Sequence, residues 1–240
     1  MATASIVIPA MQNFVLPEIE ADGLRRSENR AQYSNELLRD SDDRIATMSR
    51  DEFQHALGAH GLRVPTAAEI YHFVTAYPSF LDASDIWRTA DLTATDFVRP
   101  EKQPSRFDEG ELRYKGKGSK KGKMVPYRIK SDLWLVEENG QQVGEAWIPD
   151  EHITHVRMHP ALGIPDGVLF GAEPVDFLLY NTLPIMQDGR DIPRVSLVYN
   201  SFMDKARKIF SLYLCPPDIA YQGWSVHPVK GIFPEIQRVA

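Results

Sequence analysis

A chain of 240 residues with a hydrophobic share of 43% and a charged share of 25% has the size and composition of a globular protein with a real core. Seventeen prolines and fifteen glycines predict many stiff connections, which argues against a helical bundle. A formal charge of −6 argues against wholesale binding to nucleic acid.

The one cysteine, Cys215, excludes an intrachain disulfide, and its apolar neighbours Leu212–Leu214 predict a buried, inert thiol. Residues 1–5 lack the basic and apolar regions of a signal peptide, and no run reaches the roughly eighteen apolar residues of a membrane span. We therefore expect a cytoplasmic or virion-associated protein with no membrane partner.

Residues 1–17 are apolar and contain two prolines, which predicts either a strand that joins a sheet or an arm that packs on a neighbouring subunit. Residues 18–47 are dense in both signs of charge, which indicates an exposed helix or a mobile linker. We accordingly predict an N-terminal arm and charged linker over residues 1–48 and a folded domain over residues 49–240.

Two short helices follow, and each is marked by a capping box at its start. The first box is Ser49–Glu52, and Gly61 is a good stop for the helix that it begins. The second box is Thr66–Glu69, and Pro78 ends the second helix.

From residue 82 onward, Trp87 and other apolar residues are scattered among aspartate, threonine and proline, which indicates long loops with short strands. Strands are predicted at 133–137 and 143–148, and Asn139-Gly140 between them is a strong hairpin signal. Further strand-like runs lie at 168–170, 175–180, 195–199, 209–214 and 224–229.

The turn between the helices and the start of the second helix form the run Gly61–Ile70, which reads GLRVPTAAEI. This run resembles the G-x-R-L-P-T-x-x-E-(W/L) signature of prokaryotic and phage C-type-lectin-like domains, a group that includes the formylglycine-generating-enzyme and sulfatase-modifying class. The resemblance covers residues 49–230, with Trp224–Lys230 as the counterpart of the last strand. It implies an α+β fold with two short helices, a small twisted antiparallel sheet and extensive loops.

The chain departs from this class at the positions that carry its chemistry. The formylglycine-generating enzymes bind copper through a pair of cysteines, which Cys215 alone cannot supply. The calcium-dependent lectins use an E-P-N or Q-P-D triplet, whereas Glu173-Pro174-Val175 ends on a side chain without an oxygen ligand. The resemblance therefore implies a scaffold for recognition or assembly, as in phage receptor-binding and virion proteins, without catalysis or a cofactor.

Residues 113–130 form a basic run with eight lysines and arginines and no acidic residue. Its glycines would let it follow a curved anionic backbone, which predicts contact with phosphate or another anion. The predicted contact residues are Lys115, Lys117, Lys120, Lys121 and Lys123. The alternatives are a solvated loop that maintains solubility, or a contact with the acidic face of a neighbouring subunit.

Three histidines, His152, His155 and His159, would share one face of a helix and could bind zinc. Pro149 and Pro160, together with nearby β-branched residues, favour an extended segment instead, in which His152 points away from the other two. We expect ordinary histidines and no metal, and a metal-dependent enzyme built on these residues stays an alternative.

Asp85, Asp91 and Asp96 near Trp87 could be paired acids, or a sugar-binding loop with the tryptophan as a stacking plate. We expect them instead to be loop caps and turn formers. The sequence contains no G-x-S-x-G motif, P-loop or dinucleotide fingerprint.

Residues 216–224 are stiff and aromatic, and the resemblance implies that they lie among the loops where this fold binds partners. Tyr221, Trp224 and Trp87 are therefore candidate partner-binding residues, and a core role is the alternative for Trp224. The whole sequence predicts a non-enzymatic recognition or structural protein, such as a phage virion component, that assembles with other subunits. Glycan and nucleic acid are further partner classes.

Overall fold

The structure of the chain is a computed structural model. It describes residues 6–21, 24–76, 90–113, 123–149, 153–154, 169–170, 173–174, 176–180, 194–200, 209–220, 222 and 224–239.

Both predicted helices are confirmed, as α1 (Arg50–Gly58) and α2 (Ala67–Ala76). At α1 the Glu52 amide donates to Ser49 Oγ at 3.3 Å, and the Ser49 amide donates to Glu52 Oε2 at 2.8 Å. The Thr66–Glu69 box has the same reciprocal bonds, at 3.2 and 3.0 Å. Gly61 has φ +65, the left-handed conformation that favours glycine after a helix. Neither helix, among the residues described, is long and apolar enough to cross a membrane.

Six short strands occupy the N-terminal region: β1 (Ile6–Val7), β2 (Gln12–Leu16), β3 (Ile19–Ala21), β4 (Leu24–Arg26), β5 (Asn29–Tyr33) and β6 (Arg39–Asp40). The helix or mobile linker predicted for residues 18–47 is therefore wrong. Alternate residues of β5 are buried, which is the period of a strand with one covered face. The charged residues misled the prediction because one of them, Arg26, is buried against an acidic partner.

The largest sheet begins with β7 (Ala90–Val98), β8 (Ser105–Arg113), β9 (Met124–Glu138) and β10 (Gln141–Pro149). The next strands in the chain are β11 (Ile153–Thr154), β12 (Leu169–Phe170), β13 (Glu173–Pro174), β14 (Asp176–Tyr180), β15 (Arg194–Asn200), β16 (Ile209–Cys215) and β17 (Trp224–Ser225). The order in the sheet is β10-β9-β7-β15-β16-β14-β11, with β17 beside β7 and β8 beside β9, while β12 and β13 pair with each other.

Most pairs in this sheet are antiparallel, and β14 with β16 and β7 with β17 are parallel. The α+β class is thus confirmed, although this sheet has nine strands where a small one was predicted. The largest local difference from the prediction is at β7, a nine-residue strand in a region where long loops with short strands were predicted. The tight hairpin is confirmed between β9 and β10, with Asn139 at φ 49 and Gly140 at φ 75.

The two ends of the chain pair with each other through β18 (Val229–Lys230) and β19 (Ile236–Arg238). Strand β18 is antiparallel to β5, and β19 is antiparallel to β4. Residues of β2 take the first of the two roles predicted for residues 1–17, because Phe14 and Leu16 are buried within their own chain. These pairings cross the predicted boundary at residue 48, and the boundary itself stays a prediction.

The core is formed by α1, β7 and residues of several later strands. Its buried members include Leu38, Phe53, Leu57, Val64, Leu92, Val198, Cys215 and Val226. Partly buried side chains of Ile6, Met11, Trp224 and Phe233 pack against it. The core therefore joins residues from both ends of the chain to the first helix and the central strand.

Candidate functional site

A buried ion pair joins the start of α2 to the C-terminal segment. The guanidinium of Arg63 donates to both carboxylate oxygens of Glu69, at 2.7 and 2.6 Å. The same guanidinium donates to the carbonyls of Gly231 and Ile232, at 3.1 and 3.0 Å. Asn29 adds a third donor to Glu69, at 3.2 Å. One arginine of the GLRVPTAAEI run thus holds a helix and a terminal segment together.

A second buried pair lies close to the first. Arg26 Nη1 donates to both oxygens of Glu138, at 2.9 and 2.8 Å, and each of the two side chains is 3% exposed. The Thr95 hydroxyl donates to Glu138 at 3.3 Å and accepts the Ala67 amide at 2.9 Å. Burial raises the pKa of Glu138, and the Arg26 charge offsets part of that rise. This network links strands β4, β7 and β9 to the start of α2.

Asp96, in β7, is the centre of a third cluster. Its carboxylate accepts hydrogen bonds from Arg50 at 3.0 Å, from Arg194 Nε at 2.6 Å and from the Ser196 hydroxyl at 2.6 Å. Asp91, in the same strand, accepts from His227 Nδ1. Both aspartates are buried, so their predicted role as loop caps and turn formers is wrong. Both carboxylates accept hydrogen bonds from distant parts of the chain.

The Asp91–His227 pair has the orientation in which a carboxylate holds a histidine base in nucleophilic catalysis. Asp91 is 3% exposed and His227 is 2% exposed, so both are shielded from solvent. The ring of Tyr33 stacks on the Phe73 ring, with their centroids 3.8 Å apart. It also stacks on the His227 ring, with their centroids 6.2 Å apart. This arrangement packs the imidazole into the interior instead of presenting it to a substrate.

The hydroxyl of Tyr33 is buried without a hydrogen-bond partner among the residues described. We expect Tyr33→Phe to raise the free energy of unfolding at pH 7 by about 1 kcal/mol, because it removes an unsatisfied buried group. Urea unfolding at pH 7 measures this change. A loss of stability instead would show that the hydroxyl has a partner that matters.

The same variant should change the alkaline pH dependence. Burial, with the carboxylates of Asp91 and Glu69, raises the pKa of Tyr33 well above its ordinary value. The folded chain then keeps a proton that the unfolded chain loses above a pH of about 10, so stability falls as pH rises through that range. Above a pH of about 10, we expect the free energy of unfolding to fall by about 1.4 kcal/mol more per pH unit in the wild type than in Tyr33→Phe.

Cys215 is buried in the core, as predicted, and burial raises its pKa to about 12. Because the thiolate is the reactive species, we expect a thiol reagent such as Ellman's reagent to react with Cys215 only after unfolding. Absorbance in native buffer and in urea at pH 8 measures this difference. Rapid reaction in native buffer would contradict the buried position.

Strand β8 and the outer part of β9 extend the nine-stranded sheet as a two-stranded ribbon. Strand β9 pairs with β10 from Ser131 to Glu138 and with β7 from Leu135 to Glu138. Its outer residues, 124–130, pair only with β8 in the part of the chain that the structure describes. Residues 105–113 and 124–130 are called the β8–β9 ribbon below.

One face of the β8–β9 ribbon carries exposed apolar side chains. Phe107 is 55% exposed and Met124 is 51% exposed. Arg128 lies over the Phe107 ring, at 4.1 Å from its centroid, and pairs with Glu109 at 3.0 Å. Lys130 pairs with Asp132, also at 3.0 Å. Two of the ribbon's cations therefore already have acidic partners within the chain.

The structure describes only part of the sequence-predicted site. Lys123 is exposed just before β9, whereas Lys115, Lys117, Lys120 and Lys121 lie outside the described residues. Also outside are Trp87, Asp85, Tyr221, His152, His155 and His159. Trp224 begins β17 and packs partly buried against the core, and its binding role stays a prediction.

Sequence reasoning missed four features of the interior and surface: the Arg26–Glu138 pair, the Asp91–His227 pair, the Asp96 cluster and the β8–β9 ribbon. Glu69 was found only as a capping residue, and its bonds to Arg63 were not foreseen. The spacing of Arg63 and Glu69 around a capping box is the one local signal that could have indicated their pairing. No family model, curated protein or solved structure matches this chain.

Proposed function

We propose that this chain is a non-enzymatic recognition or assembly protein, built on a C-type-lectin-like scaffold, that works as a subunit of a larger particle such as a phage virion. The observation that carries this proposal is the β8–β9 ribbon, with its exposed apolar side chains Phe107 and Met124. The interior of the protein supports the scaffold role, and the ribbon supports the assembly role.

The ribbon has the properties of a surface that is completed by a partner. A hairpin of two strands is marginally stable by itself in water. Unpaired strand edges offer rows of backbone donors and acceptors, and in the residues described both outer edges of this ribbon are unpaired. Phe107 and Met124 add apolar area of the kinds enriched at protein interfaces.

The interior supports a scaffold role. Buried acidic side chains that could serve in catalysis accept hydrogen bonds from buried or half-buried cations: Glu69 from Arg63, Glu138 from Arg26, and Asp96 from Arg50 and Arg194. The GLRVPTAAEI run supports the C-type-lectin-like proposal, because its Arg63 is bridged to Val229, within the segment that the resemblance treats as the last strand.

Light scattering of the full chain over a wide range of concentration tests this function. An assembly protein gives a mass above that of the 27.2 kDa chain, at least at the higher concentrations. A mass of one chain at every concentration would contradict the proposal. The full chain is the right sample, because removing residues 1–17 would expose the core that Phe14 and Leu16 cover.

A further inference from the structure

We propose that neighbouring copies of this chain exchange residues 224–239, so that this segment of one copy fills the groove of the next. The segment is called the C-terminal strap below, and its groove is formed by β4, β5 and the turn that contains Arg63. This inference rests on the proposed function, because it needs neighbouring subunits, and it names a contact that joins them.

The C-terminal strap is bound by backbone hydrogen bonds to the N-terminal part of the chain. Strand β18 pairs with β5, and β19 pairs with β4. Arg63 and Val229 exchange their backbone hydrogen bonds, at 2.8 and 3.0 Å, and the Ser34 amide donates to the Pro228 carbonyl at 3.1 Å. The groove therefore holds the strap as a sheet edge holds an added strand, a mode by which peptides bind to proteins.

Side chains on both sides of the groove make it selective for this segment. The Arg63 guanidinium donates to the Gly231 carbonyl at 3.1 Å and lies over the Phe233 ring, at 4.1 Å from its centroid. On the other side, Asp91 accepts from His227, and both residues are buried. A segment with a different sequence would leave buried charged groups without these partners.

The glycine of the strap is required by the close approach of two backbones. Gly231 has φ +137, a conformation that other residues rarely adopt. A Cβ at this position would lie 3.2 Å from Ala31 and from the Arg30 carbonyl oxygen. The groove therefore recognises the strap by its backbone shape as well as by its side chains.

Residues 216–223 link the C-terminal strap to the end of β16. Eight extended residues reach about 26–29 Å, which is enough to enter an adjoining subunit. Within the described part of this linker, Asp218 and Ala220 are exposed. Its recorded backbone hydrogen bonds are long, at 3.3 Å to the Pro217 carbonyl and 3.4 Å to the Pro216 carbonyl. Moving the linker therefore breaks few strong contacts.

Exchange keeps the contacts of every groove, because the segment that fills it has the same sequence. The two arrangements differ mainly in the path of the linker and in the freedom lost on association. A short linker holds its own strap near its groove at an effective concentration on the order of mM. Subunits packed in a particle present their neighbours' straps at comparable concentrations, so exchange there needs little free energy.

A pair of cysteines distinguishes the two arrangements in the full chain. Gln32 in β5 and Lys230 in β18 are exposed and lie opposite each other. In Gln32→Cys/Lys230→Cys, a short bismaleimide should join two chains where straps are exchanged and close a loop within one chain where they are not. The natural thiol, Cys215, is buried. We expect the assembled fraction from gel filtration to run at the mass of two chains on a denaturing gel.

The matched control is Asn13→Cys/Gln32→Cys. These two exposed positions pair between β2 and β5, so they belong to the same copy whichever strap fills the groove. The control should therefore run at the mass of one chain. Light scattering checks that both variants assemble like the wild type.

The outcomes separate this inference from the proposed function. If the wild type assembles but the cross-linked Gln32→Cys/Lys230→Cys variant runs only at the mass of one chain, exchange is wrong and the assembly function stands. If the wild type is a monomer at every concentration, both fail. An equal share of two-chain product in the control would also overturn exchange, because the link would then not depend on the strap.

A free strap tests the same contact without changing the chain. A synthetic peptide of residues 224–239, added in excess while the wild type refolds from urea, should fill the grooves and lower the mean mass of the assemblies. The control peptide carries Gly231→Val, and we expect it to need at least about tenfold more for the same effect. A mean mass that the native peptide leaves unchanged would overturn exchange as a contact that joins subunits.

Discussion

Replacing Arg63 by methionine should lower the free energy of unfolding by about 3–5 kcal/mol. Methionine keeps much of the length and apolar packing of the arginine stem, so the main loss is the charge and its bonds. Glu69 would remain as a fully buried carboxylate with only Asn29 and its own helix cap as donors. The carbonyls of Gly231 and Ile232 would also lose a donor. Urea unfolding measures the change.

An exposed arginine gives the matched control. Arg25 pairs with Glu18 and Glu20, but its side chain is 47% exposed, so Arg25→Met should cost less than about 1 kcal/mol. The double variant Arg63→Met/Glu69→Met should be less destabilised than Arg63→Met alone, because no unpaired charge stays buried. A loss of less than about 1 kcal/mol in Arg63→Met would contradict the role given to this pair.

Replacing Asp96 by asparagine should lower the free energy of unfolding by about 3 kcal/mol. Asparagine keeps the size of the side chain and an oxygen for Ser196, so the change mainly removes the negative charge. Arg50, which is 8% exposed, would then lose the buried anion that balances it. Arg194 would lose the same partner, because it donates to the same carboxylate oxygen, Oδ2, as Arg50.

Asp132 supplies the comparison for Asp96. It also accepts from a serine hydroxyl and pairs with a cation, but its partners Ser105 and Lys130 lie at the surface. We expect Asp132→Asn to cost less than about 1 kcal/mol in the same unfolding experiment. Equal losses for the two variants would mean that burial of the Asp96 cluster contributes little.

The features that the sequence predicted well depend on neighbouring residues. The Ser49–Glu52 and Thr66–Glu69 capping boxes satisfy amides within three residues, so both helix starts could be read from the sequence alone. The Asn139-Gly140 turn is equally local, since its two residues supply the positive φ angles that a tight hairpin needs.

The features that it missed depend on distant partners. Arg26 is buried because Glu138 lies beside it, although 112 residues separate them in the sequence. Without knowledge of that pairing, the charges of residues 18–47 indicate solvent exposure, and strands β4 and β5 are overlooked. The aspartates of β7 misled the prediction in the same way. The burial of Asp91 depends on His227, which lies 136 residues later in the sequence.

The candidate surface was predicted only in part. The basic character of residues 113–130 is evident in the sequence, but the ribbon that carries it depends on the register of β8 against β9. That register aligns Phe107 with Lys130 and Glu109 with Arg128, which brings the aromatic ring, the acid and the arginine together. Two exposed apolar side chains, Phe107 and Met124, therefore lie beside charges that had suggested a phosphate contact.

Hydrogen exchange at low and high protein concentration tests the central claim most directly, because it reports on the ribbon within the unmodified chain. We predict that amides of residues 105–113 and 124–130 exchange more slowly at high concentration, while those of β2 and β5 keep the same rates. Ribbon amides whose exchange does not change as the chain assembles would contradict the claim that the β8–β9 ribbon is the assembly surface.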